Sequence, residues 1–417
     1  LLFYSNNANE RGLYTSIFCI LLLADVILLF WFVSQTSIYL QEAVGFFSFQ
    51  DSAITFGKSF SQSFCYKLAI FGVRVFESLG IHPIYNDFGL RAPFILFHIC
   101  NCILLYSICL SLFRRAKDCL FCVAIFMLVP GISVSALVVS NASVLILLAL
   151  LIIYFQLVRN CIAYPLFIVA SVFDSGGSIM CLALFIYALY YRMSKTIAFA
   201  IICFGLNMYL FAPVFGVPKS YFLDTIGFLA IVFTPALFVY YCAYLYFYTF
   251  HNPPNLLNLI SFIGFVLVLL LSVRQNIKVD SFMPILSVGI PVFVDRMFSE
   301  LRVRLPQFRL KYFMRASVVA IFLIFGNLVL FGNKLTYYFS NEHNFAYPFY
   351  EAKDIAKRLY DMKITNIATY DNLAKRLAFY GINTNPSSPY RLIQMKDGDI
   401  RVIYSNNVIA QYGVIKQ

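Results

Sequence analysis

The sequence predicts a polytopic α-helical membrane protein, with about eleven transmembrane helices of roughly 20 residues each and a small α/β domain at its C-terminal end. Three observations predict it. First, 61% of the 417 residues are hydrophobic, 12% are charged and the mean hydropathy is +0.80, whereas soluble domains carry about 25% charged and about 45–50% apolar residues. That balance excludes a soluble enzyme, a disordered chain and a nucleic-acid binder with a basic folded surface. Second, the apolar excess runs through most of the chain in continuous, helix-length stretches. A single anchor on a soluble body is thereby excluded, and so is an outer-membrane barrel built from alternating segments of about 10 residues. Third, apolar runs shorten and charge density rises after residue 332. The expected division is a transmembrane domain over 1–332 and an α/β domain over 333–417.

The spans fall at 14–34, 92–113, 119–139, 142–158, 161–173, 177–191, 196–213, 224–249, 256–273, 281–295 and 316–332. Lys and Arg set their orientation, because cytoplasmic loops carry an excess of both. With the N-terminus inside, the inner segments hold thirteen basic and four acidic residues, the basic ones running from Arg11 to Arg315; the outer loops hold seven of each sign. The N-terminus is therefore expected inside and the C-terminal domain on the outer face. Most of the net charge of +12 is topology and requires no nucleic acid or acidic protein. The basic stretch from Arg296 to Arg315 reads as a topogenic loop on anionic lipid. Membrane lipids are thus expected partners.

Two segments break the rhythm of helix and short loop. The outer loop 35–91 is far longer than a compact domain needs, which marks it as functional. Its centre, FCYKLAIFGVRVFESLG, carries Phe64, Leu68, Phe71, Val75 and Leu79 at helical spacing and suits a helix lying in the interface plane. In the tail, Phe349, Ile355, Leu359 and Met362 predict an amphipathic helix and ITNIATY a short strand. DNLAKRLAFYG predicts a second helix, with Asp371 as its N-cap and Gly381 as its stop. RLIQ, IRVIYSN and VIAQYGVI predict further strands around a turn at Asp397–Asp399.

Ionisable residues at membrane depth or in the outer loops are the candidates for chemistry. Asp25 sits in the middle of LLLADVILL and, with no matching acid or base at its depth in the sequence, reads as a packing group. Glu42, at the outer end of the first span, could act as a general base, and Asp51 and Asp87 share its loop. Arg91 could meet a phosphate bidentately. Asp174, Lys219, Asp224, Arg274, Gln275 and Lys278 complete an outer ring, with Lys219, Arg274 and Lys278 placed for a lipid phosphate. The cysteines lie mostly in apolar runs and read as small hydrophobes. The four histidines are far apart in sequence. No zinc site is predicted, and a divalent metal is left open.

The order of these features resembles the GT-C membrane glycosyltransferases that use polyprenyl-phosphate sugars, of the protein mannosyltransferase and aminoarabinose transferase kind. QEAVGFF at Gln41–Phe47 stands where that family opens its loop with Asp-Glu-Ala. NDFGLRAPF at Asn86–Phe94 stands where the loop closes, and LVPG at Leu128–Gly131 with SNASVLILLALLIIYF at Ser140–Phe155 resembles the next block. The resemblance covers nearly the whole chain in layout. It implies transfer of a sugar from a polyprenyl-phosphate donor to a lipid or protein acceptor on the outer face. Glu42 would be the base, and Arg91, Lys219 and Arg274 the phosphate contacts. The departures are that Gln41 replaces the family's usual catalytic Asp and Asn141 the Asp of the second block. Two alternatives therefore stand beside the enzyme: a non-catalytic relative that binds lipid-linked glycans or assists envelope assembly, and a transporter or flippase built on paired broken helices.

Overall fold

A computed structural model describes residues 8–53, 57, 59–212, 220–303, 305–334, 349–395, 398–404 and 407–416. Lys219 and Asp397 lie outside the described residues. The chain folds into helices α1 (Ala8–Gln35), α2 (Leu40–Gln50), α3 (Phe60–Ser78), α4 (Asn86–Leu112), α5 (Ala116–Met127), α6 (Pro130–Leu137), α7 (Ala142–Leu157), α8 (Tyr164–Phe173) and α9 (Gly177–Tyr190). These continue as α10 (Ser194–Phe211), α11 (Phe222–Phe233), α12 (Pro235–His251), α13 (Leu256–Ser272), α14 (Val279–Phe282), α15 (Ile290–Val303) and α16 (Pro306–Phe331). The tail adds α17 (Ala352–Asp361), α18 (Asp371–Phe379) and strands β1 (Tyr390–Gln394), β2 (Ile400–Tyr404) and β3 (Asn407–Lys416).

Each of the eleven predicted apolar segments is helical, but they differ in kind. Among the described residues, five stretches are long and apolar enough to cross a membrane: Arg11–Gln35, Pro83–Leu112, Ser194–Phe211, Val279–Val303 and Arg309–Phe331. Two more qualify only as bent pairs. The expected continuous helix over 119–139 breaks by 61° between α5 and α6, and that over 224–249 breaks by 100° between α11 and α12. Both second halves begin with proline, Pro130 and Pro235, which has no N–H for the preceding turn and clashes with a continuing helix. Thr234, at the second break, has a φ of +69°. The other four, α7, α8, α9 and α13, have 10–17 residues, shorter than a straight span of about 20.

Contacts group the residues into two units. The first draws on Leu1–Val26, Thr55–Gln62 and Phe94–Asn327, the second on Ile27–Ile54, Ser63–Pro93 and Leu328–Gln417. The core of the first unit is almost wholly aliphatic and aromatic, including Phe126, Leu145, Ile153, Phe167, Phe233, Tyr241 and Phe293. Its breaks are closely packed: a Cβ on Gly131 would lie 2.5 Å from Val232, and one on Gly326 3.0 Å from Pro130 and 3.1 Å from Thr234. All eleven cysteines are free thiols, seven of them buried.

In the second unit, α3 turns out its bulky stripe. Phe71, Val75 and Leu79 are exposed, while Cys65, Ala69, Ile70, Gly72 and Val73 are buried. The small face lets α3 approach α4 closely: a Cβ on Gly72 would sit 2.2 Å from the Gly89 carbonyl oxygen. That carbonyl is one Pro93 cannot bond, four residues on, so the glycine pair fills with backbone what a side chain would otherwise occupy. In the tail, α17 and α18 form as expected, although the residue capping α18 is Tyr370 and not Asp371. Gly381 takes the left-handed conformation (φ +82°) that stops the helix. The three strands make an antiparallel sheet in the order β1-β3-β2. ITNIATY contributes only isolated bridges, Asn366 to Asn383 and Ala368 to Arg391.

Candidate functional site

Among its described residues, the second unit holds six buried acidic and basic side chains around one short piece of backbone. Helix α1 ends at Gln35 and α2 starts at Leu40, so the backbone groups of Thr36–Tyr39 lack helical partners on one side and must be satisfied otherwise. Charged side chains do it. Arg91 Nη1 donates to Thr36 Oγ1 at 2.8 Å and Nη2 to the Ser37 carbonyl at 3.3 Å. Arg376 Nε donates to the Ile38 carbonyl at 3.0 Å and Nη2 to Ser37 Oγ at 3.1 Å. The Ile38 N–H donates to the Tyr380 hydroxyl at 2.8 Å, and Lys353 Nζ donates to the Ser34 carbonyl at 3.1 Å.

The carboxylates stand behind these cations. Asp87, in the first turn of α4 where the helix dipole favours negative charge, is fully buried; it pairs with Lys353 at 2.9 Å and accepts from the Tyr380 hydroxyl at 3.0 and 3.1 Å. Glu351 faces Arg376 at 3.5 Å and accepts from Tyr412. Glu42, 2% exposed, lies 3.6 Å from Arg91 and accepts the Tyr39 N–H at 3.3 Å. Three acids thus face three bases. Tyr380 is held neutral: burial first, then the neighbouring Asp87 charge, push its hydroxyl well above the ordinary phenol range. One donor is left over, since Arg91 Nε is buried without a hydrogen-bond partner among the described residues.

Glu42, Asp87 and Arg91 are thus brought together from the two ends of the long loop. Asp51 is not among them; it caps the C-terminus of α2 and is exposed. Gln41 is exposed beside buried Glu42. Arg274 and Lys278 are exposed in the first unit, between α13 and α14. Asp174, also there, is buried between α8 and α9. It accepts from Ser61 Oγ at 2.8 Å, Asn141 Nδ2 at 3.2 Å, Ser175 Oγ at 3.3 Å and the Gly176 N–H at 3.1 Å. Among the described residues, no group of three or more His, Cys, Asp or Glu side chains could hold a metal.

Sequence reasoning missed Lys353, Glu351, Arg376 and Tyr380. Arg376 had a signal: it shares a helical face with Leu373 and Tyr380, three and four residues away, and a cation on an apolar face needs a buried partner. It also missed a pair within the first unit. His98 Nε2 lies 2.8 Å from Asp25 Oδ2, so Asp25 has the matching group that its sequence context did not reveal. No protein-family model matches this chain, and no curated protein is similar enough to count as its relative.

Proposed function

We propose that this chain is a membrane protein of the GT-C layout that binds a polyprenyl-phosphate-linked sugar without transferring it, in support of envelope assembly. In this reading all eleven apolar segments cross a bacterial inner membrane, and the loop and tail face the periplasm. The observation that carries it is the disposition of the loop's opening pair. The accessible residue is Gln41, an amide with no proton to take up at neutral pH, while Glu42 is buried against Arg91. A general base must reach the acceptor's proton directly or through one water, and a carboxylate 2% exposed within a balanced set of charges is poorly placed to do so. The sugar phosphate would be met by Arg274 and Lys278, which are exposed, and by Lys219 as the resemblance implies.

One observation favours the transferase as a second reading. The Glu42–Arg91 contact is an ion pair and not a hydrogen bond: the two lie 3.6 Å apart, whereas Arg91 reaches Thr36 at 2.8 Å. Release from Arg91 would free a base, with Asp51 and Asp87 as further candidate carboxylates of the loop. Full-length protein in lipid nanodiscs, mixed with a radiolabelled undecaprenyl-phosphate sugar, separates the readings. Saturable binding, weakened by Arg274→Ala with Lys278→Ala, and no release of undecaprenyl phosphate in the presence of membrane lipid and protein acceptors supports the first. Turnover that Glu42→Gln abolishes overturns it in favour of the transferase, and absence of binding overturns both.

A further inference from the structure

The first unit carries a polar site that the proposed function does not use. Asp25 and His98 each sit inside one of the five long apolar stretches, Arg11–Gln35 and Pro83–Leu112, and their side chains meet at 2.8 Å. An ionisable group costs free energy at such depth and is kept where it is paired and used. Cys102 Sγ lies 3.6 Å from the same ring nitrogen, and Asp25 and Cys102 are the ionisable side chains that act on the ring among the described residues.

The other side of the imidazole is unmet. His98 is 1% exposed, and its Nδ1 has no hydrogen-bond partner among the described residues. Three residues along the same face of α4, Asn101 donates through Nδ2 to the Ser143 carbonyl at 3.1 Å, yet among the described residues Asn101 Oδ1 and the Ser143 hydroxyl are also buried without partners. Buried polar atoms are rarely left so. Such groups recur where an internal water sits or where a proton is handled.

We propose that Asp25 and His98 form an intramembrane proton site, with His98 Nε2 on the Asp25 carboxylate and Nδ1 exchanging its proton with an internal water held by the polar atoms of Asn101 and Ser143. The protonated ring donates through both nitrogens. Loss of the Nδ1 proton to that water, and from there to bulk solvent, leaves a neutral ring that still donates from Nε2 to Asp25. One proton moves and no other bond changes. An imidazole wired on one nitrogen and open on the other can pass a proton through buried surroundings.

Side-chain 15N-histidine NMR on the full-length protein in lipid nanodiscs tests this, with His98→Gln identifying the signal. At pH 7.5 the expected result is a charged His98 ring, a cross peak between the Nδ1 proton and water, and a neutral ring in Asp25→Asn. Cys102→Ser should leave the charged ring in place. A His98 that is neutral in the wild-type protein at pH 7.5, or whose Nδ1 proton shows no water exchange over hours, would overturn the proposal and reduce the pair to a packing contact. Should Asp25→Asn fail to fold, the wild-type charge state and water exchange decide alone.

Discussion

The two units bury polar groups by opposite rules. In the second, six charges are taken out of water and every one has an opposite charge within 3.6 Å. In the first, the buried polar groups are mostly neutral and lie in small clusters among apolar helices, with hydrogen-bonding capacity unused among the described residues at His98, Asn101, Ser143 and Thr234. The difference teaches where each kind of group is tolerated. A balanced network of ions can fix an irregular stretch of backbone such as Thr36–Tyr39, because it returns both charge and hydrogen bonds at once. A lone carboxylate such as Asp174 is held instead by neutral donors, four of them, including an N–H at the turn into α9.

The sharpest way to break this comparison is to unbalance the second unit. Lys353→Met leaves Asp87 fully buried with, among the described residues, the Tyr380 hydroxyl as its hydrogen-bond donor, and removing one partner of a buried ion pair costs about 3–5 kcal/mol. Thermal or denaturant unfolding of the purified protein should show that loss. The pair Lys353→Met with Asp87→Asn should recover much of it, since the uncompensated charge is then gone. If both variants lose equally, the network is held by shape and not by charge balance.

The matching change in the first unit is smaller. Asn141 Nδ2 donates to Ser61 Oγ at 2.9 Å and to Asp174 at 3.2 Å. Asn141→Asp removes that donor and sets a second carboxylate beside the first, at a cost of about 1–3 kcal/mol for an unmet buried group. Asn141→Ala should cost less, because it removes the donor without adding charge. Equal losses would show that the Asp174 carboxylate is already neutralised by something other than these four donors.

Much of this arrangement was legible in the chain. The long loop, its opening Gln41–Glu42, its closing Asp87–Arg91 and the two helices and three sheet strands of the tail could be placed, because local pattern and turn chemistry determine them, whereas ITNIATY makes only isolated bridges. What pairs with what could not, since Lys353 and Arg376 reach the loop through tertiary folding that no local period records. Asp25 and His98 are a nearer miss. Asp25 lies nine residues inside the outer end of the expected span 14–34 and His98 six inside that of 92–113. At 1.5 Å rise per residue those depths differ by only about 5 Å. Depth arithmetic across spans would have matched them where sequence distance did not. The breaks before Pro130 and Pro235 were likewise visible as prolines, but hydropathy averages over them.

The smallest effect is expected at Tyr380, where the comparison becomes one of pH. The hydroxyl takes a bond from the Ile38 N–H and gives one to Asp87, so Tyr380→Phe should cost about 0.5–1.5 kcal/mol near neutral pH. Its second effect has a definite sign. The fold holds the phenol neutral, with its pKa above the ordinary 10.0, so above that pH the unfolded chain binds fewer protons than the folded one. The stability contributed by the neutral hydroxyl is complete below pH 10 and is lost as pH rises toward the folded value. The wild-type protein should therefore lose more unfolding free energy between pH 9 and pH 11 than Tyr380→Phe does, and the gap between them should shrink over that interval. A gap that stays constant would mean that Tyr380 ionises as easily in the fold as in the unfolded chain, and that Asp87 relies on Lys353 alone.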